Sequence, residues 1–196
     1  MRSQLWFGLA FFLLCYVYLW RVVQPSLIYH GFGTLIYDVP VFSIGWQFLK
    51  DALDVPGGLT LYAWGFLSQW YYHSWLGALI VVLVAFCLCE LARRHCIRAG
   101  HPGPIVVHYS PAAAILVIYN QYDHPLAAGL TLSVALALSH VFERVPLRRD
   151  PVRMVVFCFA VGIGYHLAGA GAVLVFALLT AIYLLLRRDW LRALLA

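Results

Sequence analysis

YDVPVFSIGWQFLKDALDVPGGLTLYAWGFLSQWYYHSW, residues 37–75, is the one long polar and aromatic interval between segments that otherwise read as membrane spans. Where it lies decides how the rest of the chain crosses a bilayer. The polar positions Ser43, Gln47, Lys50, Asp51 and Asp54 fall on one helical face, and Phe42, Trp46, Leu49 and Leu53 on the other. A helix so divided, placed beside membrane spans, is expected to lie in the headgroup plane with its aromatic side down. Pro56-Gly57-Gly58 then breaks the pattern, and an aromatic run continues to His73.

Outside this interval the chain is overwhelmingly apolar. Of its 196 residues, 64% are hydrophobic and 11% charged, a balance far from that of a soluble domain. The formal charge of +5 does not indicate nucleic acid, because the basic residues form short clusters between apolar runs and not one solvated face. They read instead as topology signals. The five cysteines are scattered, and Cys15, Cys87, Cys89 and Cys158 sit inside apolar runs, so no disulfide framework is implied. Arg2 is followed by a long apolar run without a small-residue cleavage site, which reads as a retained first span.

The spans are expected at Leu5 to Val23, Trp75 to Leu91, Ile105 to Ile118, Leu126 to Phe142, Met154 to Ile163 and Ala172 to Leu186. The first is long enough for a hydrocarbon core of roughly 30 Å, with Trp6, Tyr18 and Trp20 near its ends. With six spans, Arg2, the clusters Arg93 to Arg98 and Arg144 to Arg153, and the C-terminal arginines all fall on one side, which the positive-inside rule makes cytoplasmic. Reading Leu59 to His73 as a seventh span would put the basic loops on the side opposite Arg2, so that segment is expected to be interfacial. The expected fold is therefore all-α: a single polytopic transmembrane bundle over residues 1–196. Residues 1–74 supply the first span and outer loop, and residues 75–196 the remaining spans. Both termini are expected in the cytoplasm of a bacterial inner membrane.

The third and fifth spans are short, so the turns after them are expected to be partly sunken, and a polar turn at that depth needs protein or water around it. One is Tyr122-Asp123-His124-Pro125; Tyr165 and His166 occupy the other. Each reads either as an exterior turn or as part of an outward site. Asp38 reads as the N-cap of the amphipathic helix, with Pro40 in its first turn, and equally as a carboxylate available for chemistry. Asp51 and Asp54 read as that helix's solvated face. If the two hairpins pack side by side, Asp38, Tyr122, Asp123, His124, Tyr165 and His166 share one outer cleft.

His108 and His140 lie at similar depth on adjacent spans, a geometry open to two axial haem ligands and equally to hydrogen-bonded helix-end histidines. Cys87, Cys89, Glu90, His95 and Cys96 crowd one helix end, but Cys-x-Cys on a helix directs its thiols about 200° apart, which argues against zinc. No phosphate-binding loop, nucleophile elbow or His-Glu-x-x-His motif occurs, and no motif names a cofactor.

A first span, an outer loop with an early acidic residue at Asp38, a helix from Phe42 to Leu53, Pro56-Gly57-Gly58-Leu59 and an aromatic run from Trp64 to Trp75 resemble the front of the type-C membrane glycosyltransferases. The Pro-Gly-Gly-Leu-x-Leu-Tyr phrase is also similar to bacterial polytopic proteins without an assigned activity. The first resemblance implies a membrane enzyme using a polyprenyl-phosphate sugar at the outer leaflet. Asp38 would be its general base or metal-assisted activator, and the Tyr122 to His124 turn would contact substrate or phosphate. The other classes open to this sequence are a non-catalytic subunit docking a partner membrane protein through the outer loop, a small transporter and a haem-binding subunit. Six spans with almost no ionisable group at mid-membrane give a coupling ion little to hold.

Overall fold

A computed structural model describes residues 2–26, 42–98, 108–119, 126–145 and 150–187. The described residues are helical and contain no strand. α1 (Arg2–Tyr18) runs into a wide π turn over Leu19–Val23, which Gln24 closes in a left-handed conformation by donating its N–H to the Leu19 carbonyl. The polar and aromatic interval supplies α2 (Trp46–Leu53) and α3 (Gly58–Ser68), the latter ending in a 3₁₀ turn over Gln69–Tyr72. Then come α4 (Ser74–Arg98), α5 (Ser110–Tyr119), α6 (Ala127–Phe142) and α7 (Asp150–Arg187).

Three segments among the described residues are long and apolar enough to cross a membrane: Trp6–Val23, Ser74–Arg98 and Pro151–Leu184, with Ala127–Phe142 a shorter apolar helix. These lengths and compositions mark an integral membrane protein. The third segment is not one straight rod. Gly169, with φ 78° and ψ −175°, interrupts α7, and the Phe157 and Phe176 rings on either side of it stack with centroids 5.4 Å apart. In a straight helix those residues would stand roughly 28 Å apart. α7 is therefore two arms folded back on each other. The break falls between the expected spans Met154 to Ile163 and Ala172 to Leu186. Each arm is about 28 Å long at 1.5 Å per residue, longer than the apolar runs alone suggest.

Side-chain contacts fix the directions of the helices. Pro25, just beyond the π turn, packs on Gly77, and Phe12 meets Phe86, so α1 and α4 are antiparallel. Val84 meets Gly129 and His95 meets Glu143, so α4 and α6 run the same way. α4 buries Gly77, Ala78, Val81, Ala85 and Leu88, a stripe of small and branched residues that lets its neighbours approach closely. Phe142, Phe157 and Phe176 form a second core between α6 and α7. The ends of α4 and α6 and the two termini of the α7 hairpin thus gather at one end of the bundle, and the Gly169 break lies at the other.

This interval departs from expectation in two respects. α2 begins at Trp46 behind the extended residue Gly45 and has no side-chain cap, so Asp38 is not the N-cap of this helix. Gly45 and the non-helical residues before it interrupt the pattern that would have carried the helix back to Pro40. Phe42 does not continue the face of Trp46 either. It packs on Phe48, Tyr62 and Phe66, joining α2 to α3. Trp46 is 75% exposed, and Gln47 donates to Asp51 across one turn, as the polar face implied.

Pro56-Gly57-Gly58 holds this pair of helices to the bundle. Gly57 adopts φ +80°, donates its N–H to the His166 carbonyl at 2.9 Å, and would bring an added Cβ to 3.2 Å from the Gly169 nitrogen. The Thr60 hydroxyl donates to the Leu167 carbonyl at 2.8 Å. Because Gly169 breaks the helix, the carbonyls just before it lack intrahelical donors, and the Gly57 turn and α3 supply them. A Cβ at Gly58 would collide with the Ala52 carbonyl. Gly57→Ala, which forces a left-handed side chain, and Gly58→Ala, which overpacks against backbone, should each lower stability by about 1–3 kcal/mol. Gly45→Ala, with nothing within 4 Å, should be near neutral. Unfolding in detergent measures all three.

Candidate functional site

Of the residues singled out by sequence for an outer cleft, Asp38, Tyr122, Asp123 and His124 lie outside the described residues. Tyr165 and His166 sit on the last turn of the first α7 arm, beside the Pro56-Gly57-Gly58 turn of the outer interval. Both side chains are exposed at the protein surface. The His166 ring edges a shallow, mainly apolar depression of about 480 Å³ with Cys158, Ile163 and Leu167. The backbone bond from Gly57 brings the Pro56-Gly57-Gly58 turn and the Tyr165-His166 turn together.

At the other end of the bundle the structure assembles a polar cluster that the sequence reading did not assemble. Glu143 follows the last turn of α6, and its N–H is bonded to the Ser139 carbonyl, which points its carboxylate back among the helices. That carboxylate is 0% exposed. One oxygen contacts His95 Nδ1 of α4; the other lies 3.8 Å from His140 Nδ1. The Arg144 guanidinium reaches His140 Nε2 at 3.4 Å, and the Tyr183 ring of α7 faces His95 at 6.2 Å. The Ser139 and Thr180 hydroxyls are buried without a hydrogen-bond partner among the described residues.

A carboxylate in so little water needs polar groups around it, and here the two imidazoles stand against it. The cluster ties α4, α6 and α7 at a single point. Among the described residues, no group of three or more His, Cys, Asp or Glu has a geometry that holds a metal ion. His140 belongs to this cluster, whereas His108 lines a groove beside Arg93, so the two histidines have different surroundings. Cys87 is exposed and Cys89 buried, on different sides of α4.

Glu143 escaped the sequence reading because it reads as the first charged residue of a basic loop. Two signals point to it. Ser139, His140 and Glu143 share one helical face at the end of an apolar span, and His95 continues the buried stripe of Val81 and Leu88 along α4. Glu143→Ala, which leaves His95 buried without its acceptor, should destabilise by about 1–3 kcal/mol. Glu143→Leu combined with His95→Phe should cost less than the sum of the single changes, because both polar groups leave together. A double-mutant cycle by denaturant unfolding in micelles reads this difference.

Comparison with curated proteins and with solved structures finds no match. A family model matches over residues 1–196, and the chain belongs to DUF6057, a family of unknown function.

Proposed function

We propose that this chain is a membrane module of about six spans that handles a lipid-linked substrate at its outer face, in the manner of the type-C glycosyltransferases. The observation that carries this reading is the cap from Gly57 and Thr60 to His166 and Leu167. It anchors α2 and α3, which follow Asp38 in the sequence, to the turn that carries Tyr165 and His166, which supports a site prepared before substrate arrives. In the proposed reaction Asp38 accepts the proton of an acceptor hydroxyl. The acceptor oxygen bonds to the anomeric carbon, and polyprenyl phosphate departs with the bonding electron pair. Tyr122, Asp123, His124, Tyr165 and His166 are the proposed substrate contacts.

The proposed topology has the short helix α5 and the two arms of α7 as spans, both termini in the cytoplasm of the inner membrane, and α2 and α3 on the outer surface. The gathering of Arg93, Arg94, Arg144 and Arg153 at one end of the bundle supports that orientation. α3, about 17 Å long, is too short to cross a hydrocarbon core of roughly 30 Å by itself.

A second reading, a non-catalytic subunit that docks a partner membrane protein, is favoured by the exposure of Ile44, Trp46, Trp70 and Tyr72 on the outer segments. Asp38→Asn separates the two. Transfer from a polyprenyl-phosphate sugar, followed by mass spectrometry of the membranes, should fall by about 10²-fold or more with unchanged unfolding temperature if Asp38 is the base. Unchanged transfer, or no transfer by the native chain, favours the subunit. For the topology, cysteines introduced at the exposed Trp70 and at Ala99 should label from opposite sides of the membrane; labelling from one side contradicts it.

A further inference from the structure

α1 and α4 do not pack along their whole length. Between them runs a groove of about 800 Å³ whose walls include Leu13, Tyr16, Leu79 and Val82. Along α4, from Leu79 to Arg93, it spans roughly 21 Å, more than the thickness of one leaflet of a hydrocarbon core. Its two ends differ. Away from the basic end it is apolar; at the basic end it is closed by Glu90, Arg93, His108 and Tyr109.

The polar end is built and not incidental. Glu90 takes two bonds from Arg93, at 2.8 Å each, and one from Arg94 at 2.6 Å. Two guanidiniums against one carboxylate leave this group with a charge of +1. Tyr109 is fixed among Phe7, Phe11 and Phe12, and its hydroxyl occupies the space a side chain at Gly8 would take. His108 Nδ1 is buried and has no hydrogen-bond partner among the described residues. A net positive charge at one end of an apolar channel, with His108 in the wall beside it, suits an anion carried by an apolar chain.

We infer that this groove binds one acyl chain of an anionic membrane phospholipid, with the phosphate against Arg93 and His108. The volume suits a bound amphiphile, the apolar walls match the acyl chain, and the excess positive charge selects an anionic headgroup over a zwitterionic one. The site is independent of the outer-face reading, since its polar end lies at the end of the bundle remote from the Gly169 break.

The full chain in phosphatidylcholine vesicles, probed by electron paramagnetic resonance with spin-labelled phosphatidylglycerol or phosphatidylcholine, tests the assignment. One excess charge beside the headgroup should favour phosphatidylglycerol by about fivefold, a preference that 1 M salt reduces. Arg93→Gln should bring the preference to about one and Arg93→Lys should keep most of it, because the interaction is with a point charge. Leu79→Trp, which narrows the apolar end of the groove and leaves the arginines in place, should lower the number of motionally restricted lipids together with the preference. Equal association of the two lipids by the native chain overturns the proposal. So does a preference that survives Leu79→Trp, because it would then come from surface arginines alone. The Leu79→Trp and salt arms stand even where Arg93→Gln impairs folding.

Discussion

The constraint on which this architecture depends is the fate of backbone carbonyls at a helix break at one end of an apolar bundle. Gly169 turns α7 back on itself, and that reversal frees carbonyls that neither lipid nor apolar side chains can satisfy. Gly57 and Thr60 satisfy two of them from a segment more than a hundred residues earlier. The same contact gives α3 a fixed starting point, since its first residues sit against the negative end of the first α7 arm. Outer segments and hairpin are thus one unit, joined in part by main-chain atoms that a side-chain substitution elsewhere does not remove.

The two ends of the bundle use polar groups differently. Around Gly169 the backbone supplies the polar contacts, and the ionisable side chain of His166 is left at the surface. At the basic end side chains supply them. Glu143 is enclosed by His95 and His140, while Glu90 is held at the surface by Arg93 and Arg94. Both glutamates neutralise part of a strongly basic end. Only the enclosed one ties helices distant in sequence, so its loss acts on packing, whereas the exposed pairs contribute little to stability by themselves.

The outer segments show how an amphipathic pattern can be right in kind and misplaced in extent. The polar face of α2 carries Gln47 and Asp51 in direct contact, as their spacing implies. Phe42, assigned by the same periodicity to the opposite face, is outside the helix and packs with Phe48, Tyr62 and Phe66. Periodicity cannot tell an aromatic residue meant for lipid from one meant for an adjacent helix. The hydrophobic free energy is similar in both cases, and the choice rests on where the neighbouring helix lies.

Composition and charge were enough to read this chain as a helical membrane protein, because a bilayer core admits few ways to satisfy a backbone, and long apolar runs disclose which is used. The boundaries at Val23 and Phe142, and a break among the small residues after Gly164, follow from the same local rules. Tertiary structure decided what local rules do not contain: that Gly57 meets His166, that Glu143 faces His95, and that α1 and α4 part to leave a polar-ended groove. Each is a meeting of residues far apart in sequence. Their partners are chosen by close approach at glycines and by the high cost of an unpaired polar group in an apolar interior, and neither quantity is written in the periodicity of one segment.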